Sequence, residues 1–315
     1  MTQTQPPAEQ PQSLSARQLI AADLPQRQRM LDPVLDKKSL AMLYGPRGLG
    51  KTFVALGIAW AVASGKDFLK WRATRPHRVL YIDGEMAAID MRDRLRLFGP
   101  PPEKLSFLMA DLNRHFLPDL ADIAGQRALV RNWGEMPDLV VLDNLSSLVG
   151  FRRNDPDSWN NVQRWFLLMR QNDIAVLVVH HANKEGAQRG TARREDVLDV
   201  VLSMRRPAGY QPQDGARFEL HFDKARGLVG DTVEPIEVRL ASQAGRVRWD
   251  WGPVQAGDLN RVVALLKDGL NPLQVAKELG IAKSKSYLLR ERAVAMGLLT
   301  PETEVRPQSA KASPA

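Results

Sequence analysis

Short, almost wholly apolar stretches punctuate the first two thirds of the chain. Residues 39–44, 78–83, 105–109, 138–143 and 174–179 have the pattern of strands buried on both faces of a sheet. Helical spacing fills the gaps, over 53–63, 87–97, 119–133 and 158–171. From residue 197 the rhythm changes. Strands are predicted at 197–204, 217–223, 233–240 and 246–251, with the Gly and Pro punctuation of hairpins. Past Gly257 an amphipathic helix over 258–267 leads through a turn to a helix over 272–279, opened by Pro272. Gly280 and Ile281 turn again into a helix over 282–296, a helix-turn-helix pattern.

The expected fold is α/β: a mainly parallel sheet with flanking helices and a C-terminal β extension, plus a small all-α unit. The expected boundaries are 15–252 for the α/β domain and 257–300 for a helix-turn-helix domain, winged or not. Residues 1–14 and 301–315 are polar and read as disordered tails, and residues 15–20 as a short helix capped by Ser15. No internal repeat is visible.

One loop gives this pattern its chemistry. Gly45-Pro46-Arg47-Gly48-Leu49-Gly50-Lys51-Thr52 fits G-x-x-x-x-G-K-[ST] at every position, between a predicted strand and a predicted helix that begins at Phe53. Glycines let the backbone wrap closely, so that successive N–H groups can point at phosphate oxygens. Lys51 is placed to reach the β- and γ-phosphates, and the Thr52 hydroxyl to hold Mg²⁺.

Composition narrows the classes. The 315 residues are 44% hydrophobic and 25% charged, enough for a large core and a small second unit. A net charge of +8 suits a polyanionic partner, and equally a soluble protein kept dispersed by its charge. The absence of cysteine excludes disulfides, thiolate metal sites and cysteine nucleophiles. No apolar run is long enough to cross a bilayer, and the N-terminus lacks a signal pattern, so a cytoplasmic protein without membrane contact is expected.

Nucleotide hydrolysis also needs a carboxylate near Mg²⁺, a group acting on water, a γ-phosphate sensor and positive charge for the transition state. Asp143, after four aliphatics, is the Mg²⁺ candidate; its bland reading is a strand-end turn cap. Glu85 ends an earlier strand and could be the general base, with Asp83 a rival. His180 and His181 point to opposite sides of a strand, so one of them can face the nucleotide. Lys224 and Arg226 share one side of a strand end, either as an ordinary solvated end or as cations reaching a neighbouring subunit's nucleotide.

In order, Gly-Pro-Arg-Gly-Leu-Gly-Lys-Thr, Tyr-Ile-Asp-Gly-Glu, Val-Val-Leu-Asp-Asn-Leu, Val-Leu-Val-Val-His-His-Ala-Asn-Lys, Arg189-Gly190-Thr191 and Lys-Ala-Arg-Gly together resemble the RecA-like ATPases, especially the plasmid RepA-type hexameric replicative helicases. The resemblance implies that Lys51, Thr52 and Asp143 bind MgATP, that Glu85 is the catalytic carboxylate and that the His180-His181 segment is the sensor. It implies that Lys224 and Arg226 act across a subunit interface, commonly in a hexamer. It implies single-stranded DNA contact by two loops, 144–156 with Arg152 and Arg153, and 182–195 with Lys184, Arg189, Arg193 and Arg194. The helix-turn-helix is not an obligatory part of that family. Its last helix carries Lys283, Lys285 and Arg290, which suit duplex DNA contact, although such units also bind proteins. Two functions follow from the sequence: a DNA-dependent ATP-driven motor, or a regulator or assembly factor that uses ATP as an oligomerisation switch.

Overall fold

The computed structural model describes residues 13–24, 26–113, 119–131, 133–150, 156–182, 196–207 and 210–300. Both expected tails (save residues 13 and 14), and Arg152, Arg153, Lys184, Arg189, Arg193 and Arg194, lie outside the described residues.

The chain opens with α1 (Ala16–Ala21), β1 (Arg29–Asp32), β2 (Leu35–Asp36), β3 (Leu40–Gly45), α2 (Lys51–Ser64) and β4 (Arg72–Ala73). It continues through β5 (Val79–Asp83), α3 (Ala88–Arg96), β6 (Leu105–Met109), α4 (Ile123–Arg131), β7 (Leu139–Asp143), the single turn α5 (Leu145–Leu148), α6 (Pro156–Gln171) and β8 (Ala175–His181). Then come β9 (Val200–Arg205), β10 (Ala216–Ala225), β11 (Ile236–Gln243), β12 (Arg246–Pro253), α7 (Val254–Lys267), α8 (Pro272–Leu279) and α9 (Lys283–Ala295).

The main sheet has the order β12-β11-β10-β9-β3-β8-β7-β5-β6. Strands from β9 to β6 in that order run parallel, and β10, β11 and β12 extend the sheet antiparallel. The expected α/β architecture is therefore present. One strand changes place. Turn punctuation groups 197–204 with the meander, but β9 lies parallel beside β3. Its residues from Val200 to Met204 are buried, as a central strand requires. A second sheet, β2-β1-β4, has no counterpart among the strands expected from the sequence. Its strands are only two to four residues long, too short to show a period of two.

Side-chain alternation splits the core into two layers. Ala41, Leu43, Leu139 and Val141 face α2 and α3, with the small sheet. Leu40, Met42, Val140 and Leu142 face the other side, against Trp159, Val162, Trp165 and Phe166 of α6. Buried residues lie all round α2, so the helix sits inside the domain and fixes the loop that precedes it. Gly45 ends β3 where an added Cβ would lie 2.8 Å from the Met204 carbonyl oxygen of β9, a contact that only glycine tolerates.

β12 runs directly into α7, three residues ahead of the expected start of the C-terminal unit. Helices α7, α8 and α9 enclose their own cluster, including Leu259, Val262, Leu266, Val275, Leu279 and Leu289. Asn271 and Gln274 form a reciprocal cap at the start of α8, and Gly280 ends that helix in the left-handed region. Ser286 Oγ donates to the Pro272 carbonyl (2.8 Å), and Lys285 Nζ lies 2.6 Å from the buried Asp258 carboxylate, so both tie α9 to its neighbours. Among the described residues no helix is long and apolar enough to cross a membrane.

Candidate nucleotide site

The candidate residues meet at the C-terminal edge of the parallel strands, where open α/β sheets bind ligands. The loop after β3 and the first turn of α2 line a cavity of about 510 Å³ with Gly48, Gly50, Lys51, Thr52 and Phe53. Asp83 and Glu85 enter from β5 and the turn after it, Asp143 and Asn144 from β7, and His181 from β8. Gly50, with φ of 94°, holds the turn that starts α2 and aims its free N–H groups at the cavity.

Lys51 is buried, and its Nζ donates to the carbonyls of Gly45 (3.0 Å) and Pro46 (2.7 Å). Burial lowers its pKa to about 8; Asp143 and Glu85 oppose the shift and Arg47 adds to it. A buried cation resting on carbonyls gains from an arriving polyphosphate. Asp143 is also buried, which raises its pKa, while hydrogen bonds from Tyr81 and Thr52 and the charge of Lys51 oppose that rise. The Tyr81 hydroxyl donates to Asp143 Oδ2 at 2.7 Å.

Asp83 does something different from Glu85. Its Oδ1 accepts from the backbone N–H of Glu85 (3.0 Å) and of Met86 (2.6 Å), which shapes the turn carrying Glu85. Burial raises its pKa to about 6, against those two bonds, with Asp143 and Glu85 adding to the rise. Glu85 is exposed to the cavity, and Asn144 Nδ2 donates to its Oε2. His181 Nε2 lies 3.8 Å from the same oxygen. Burial and the charge of Lys51 lower the His181 pKa, so the ring is neutral at pH 7.

Of the two histidines, His181 lines the cavity and His180 is buried within the sheet. Leu49 turns its side chain into the core and contributes backbone to the loop; Arg47 is exposed. Lys224 and Arg226 are not at this cavity. Ala225 pairs with Val200, which pairs with Ala41 near the start of β3, while the loop follows Gly45 at its end. Lys224 Nζ donates to the Asp196 carbonyl (3.4 Å), and Arg226 Nη1 lies 3.5 Å from Asp199 Oδ1, both at the far edge. About 13 Å of strand, four steps of about 3.3 Å, separates Ala41 from Gly45. Within one subunit neither cation meets the phosphate loop.

The sequence pattern misses Asn144, Tyr81 and the far wall of the cavity. Asn144 is signalled only by following Asp143. Tyr81 is signalled by lying two residues before Asp83 on the same face of β5. On the far wall the Arg94 guanidinium sits over the Phe53 ring, 5.0 Å from its centroid, beside Asp90 and Leu240, a union of distant segments that no local pattern marks.

Fold and site together define a RecA-like P-loop ATPase class. The chain belongs to the AAA domain family, whose model matches residues 4–187. A KaiC-like protein from the hyperthermophilic archaeon Pyrococcus horikoshii OT3 has the same fold, with a TM-score of 0.50 at 13% identity over 70% of this chain and 93% of that one. The flagellar accessory protein FlaH from Methanocaldococcus jannaschii superposes with a TM-score of 0.48 at 10% identity, over 68% of this chain and 90% of that one. No curated protein matches the sequence significantly.

Proposed function

We propose that this chain hydrolyses ATP as part of a homo-oligomer that moves on DNA, in the manner of the RepA-type replicative helicases it resembles. The observation that carries this reading is the convergence of Lys51, Thr52, Asp143, Glu85 and His181 on one cavity, with Lys224 and Arg226 at the opposite edge of the sheet. Cations placed there cannot serve their own site, and we assign them to that of a neighbour.

The residues present fit a magnesium ion. Thr52 and Asp143 are hydrogen-bonded to one another and offer only oxygens, the donors this ion prefers. When bound, the ion supplies positive charge to the β- and γ-phosphate oxygens. Lys51 exchanges its two carbonyl partners for those phosphates. Glu85, steadied by Asn144, takes the proton of the attacking water as the bond to the γ-phosphorus forms and ADP leaves. Neutral His181, between Glu85 and the phosphate loop, senses whether the γ-phosphate is present. DNA contact is assigned to Arg152, Arg153, Lys184, Arg189, Arg193 and Arg194, whose charges need no base sequence to follow a single strand.

A second reading rests on α7, α8 and α9, which form a unit with its own core. Lys283 and Arg290 on α9 suit duplex DNA, and an ATP-switched regulator or assembly factor would use this unit to find its site. Steady-state ATP hydrolysis with single-stranded and duplex DNA separates the two, with Lys51→Ala as the blank. The motor predicts strong stimulation by single strands and no turnover in Lys51→Ala. Slow turnover that answers only to duplex supports the regulator. Turnover retained in Lys51→Ala contradicts the site itself.

A further inference from the structure

One hydroxyl beside the nucleotide cavity has no part in the reaction described above. Tyr81 lies on β5, two residues before Asp83 on the same face, and its side chain is fully buried. Its ring belongs to the core, with the Phe107 ring 5.4 Å away between centroids. A phenylalanine would fill that space equally well. The hydroxyl is what needs an explanation, because a buried hydroxyl costs free energy unless it is bonded.

Its bond goes to Asp143. Tyr81 pairs with Val141 across the sheet, and Asp83 pairs with Asp143. The hydroxyl therefore reaches two residues along the neighbouring strand, about 6.6 Å of rise, before it meets Asp143 Oδ2 at 2.7 Å. Thr52 holds the same carboxylate from the α2 side. A carboxylate gripped from two elements has a fixed rotation. Both of these hydroxyl partners are neutral, so neither offsets the negative charge that a cation seeks, as an Arg or Lys partner would. The carboxylates of Asp83 and Glu85 line the same cavity and add to that charge.

We propose that Tyr81 is a positioning residue for the magnesium site. Its hydroxyl locks the Asp143 carboxylate in one rotation, so that the ion meets a preset oxygen rather than a turning one. Tyr81 is not among the residues lining the cavity, so it acts through Asp143. The inference deepens the ATP hydrolysis proposed above and rests on the assignment of magnesium to Thr52 and Asp143.

The test reads binding rather than turnover. Calorimetry on the full chain gives the affinity for the non-hydrolysable β,γ-imido analogue of ATP, in EDTA and across a series of Mg²⁺ concentrations. Tyr81→Phe keeps the ring and removes the hydroxyl; Phe107→Leu disturbs the packing of that ring and keeps the hydroxyl. Tyr81→Phe is expected to bind the analogue in EDTA as the wild type does, and to need about 10- to 100-fold more Mg²⁺ to reach tight binding. Phe107→Leu is expected to melt at a lower temperature with the Mg²⁺ midpoint of the wild type. An unchanged midpoint in Tyr81→Phe would overturn the proposal. So would a loss of affinity in EDTA as large as the loss in Mg²⁺, because the hydroxyl would then shape the cavity and not the place of the ion. A midpoint that shifts equally in Phe107→Leu would overturn it too, since packing alone would account for the change. A wild type whose affinity ignores Mg²⁺ would sink the magnesium assignment itself, and the proposal with it.

Discussion

At the scale of single residues, neighbouring carboxylates have been given unlike tasks by their surroundings. Asp83 is buried and bonded to backbone N–H groups, so it builds the turn; Glu85 projects from that turn into the cavity. Because the folded state raises the Asp83 pKa to about 6, folding binds a proton that the unfolded chain releases from about pH 4 upward. Stability is therefore lost as pH rises through that window, by an amount on the order of 1–3 kcal/mol. Asp83→Asn keeps an oxygen for the two N–H donors and removes the buried charge. It is expected to raise the Tm at pH 8, with the gain vanishing below about pH 4. A lower Tm at pH 8 would show that the ionised carboxylate is needed for the turn.

At the scale of elements, α9 shows how a row of basic residues divides. Lys285 is committed to the buried Asp258, whereas Lys283 opens the helix beside the turn. Lys285→Ala should lower the Tm of the C-terminal helices, since it strands a buried carboxylate. Lys283→Ala should leave the Tm unchanged and weaken duplex DNA binding, with a shallower salt dependence. Binding lost equally in both variants with no change in Tm would contradict the structural role of Lys285. Long elements were legible in the sequence because their periods are strong. The aliphatic run ending in Asp143, the glycines around Lys51 and the helix opened by Pro272 all lie where the patterns put them. Pairing was less legible. Nothing local to Val200–Arg205 says that it lies beside β3, because strand partners are chosen by burial across the whole sheet. The same limit hid Asn144 and Arg94, which matter through what other segments bring to them. It also left open which histidine faces the cavity, until the register of β8 put His181 beside Gly45.

At the scale of the whole molecule, the proposed function divides one reaction between the two ends of the parallel strands. The cavity edge holds the nucleotide machinery, and the opposite edge holds Lys224 and Arg226. On the function proposed above, such a chain completes its site only beside another copy. Removing a cation of this kind costs on the order of 10³-fold or more in turnover. The most direct measurement is complementation between two inactive variants. Lys51→Ala has no working phosphate loop but keeps Arg226; Arg226→Ala has the loop but lacks the cation. Each alone should show almost no ATP hydrolysis. On mixing and exchange, about one interface in four joins an intact loop to an intact Arg226, and turnover should return to about that share of the wild type. Arg226→Ala with full activity alone, or a mixture as silent as its parts, would contradict a site shared between subunits.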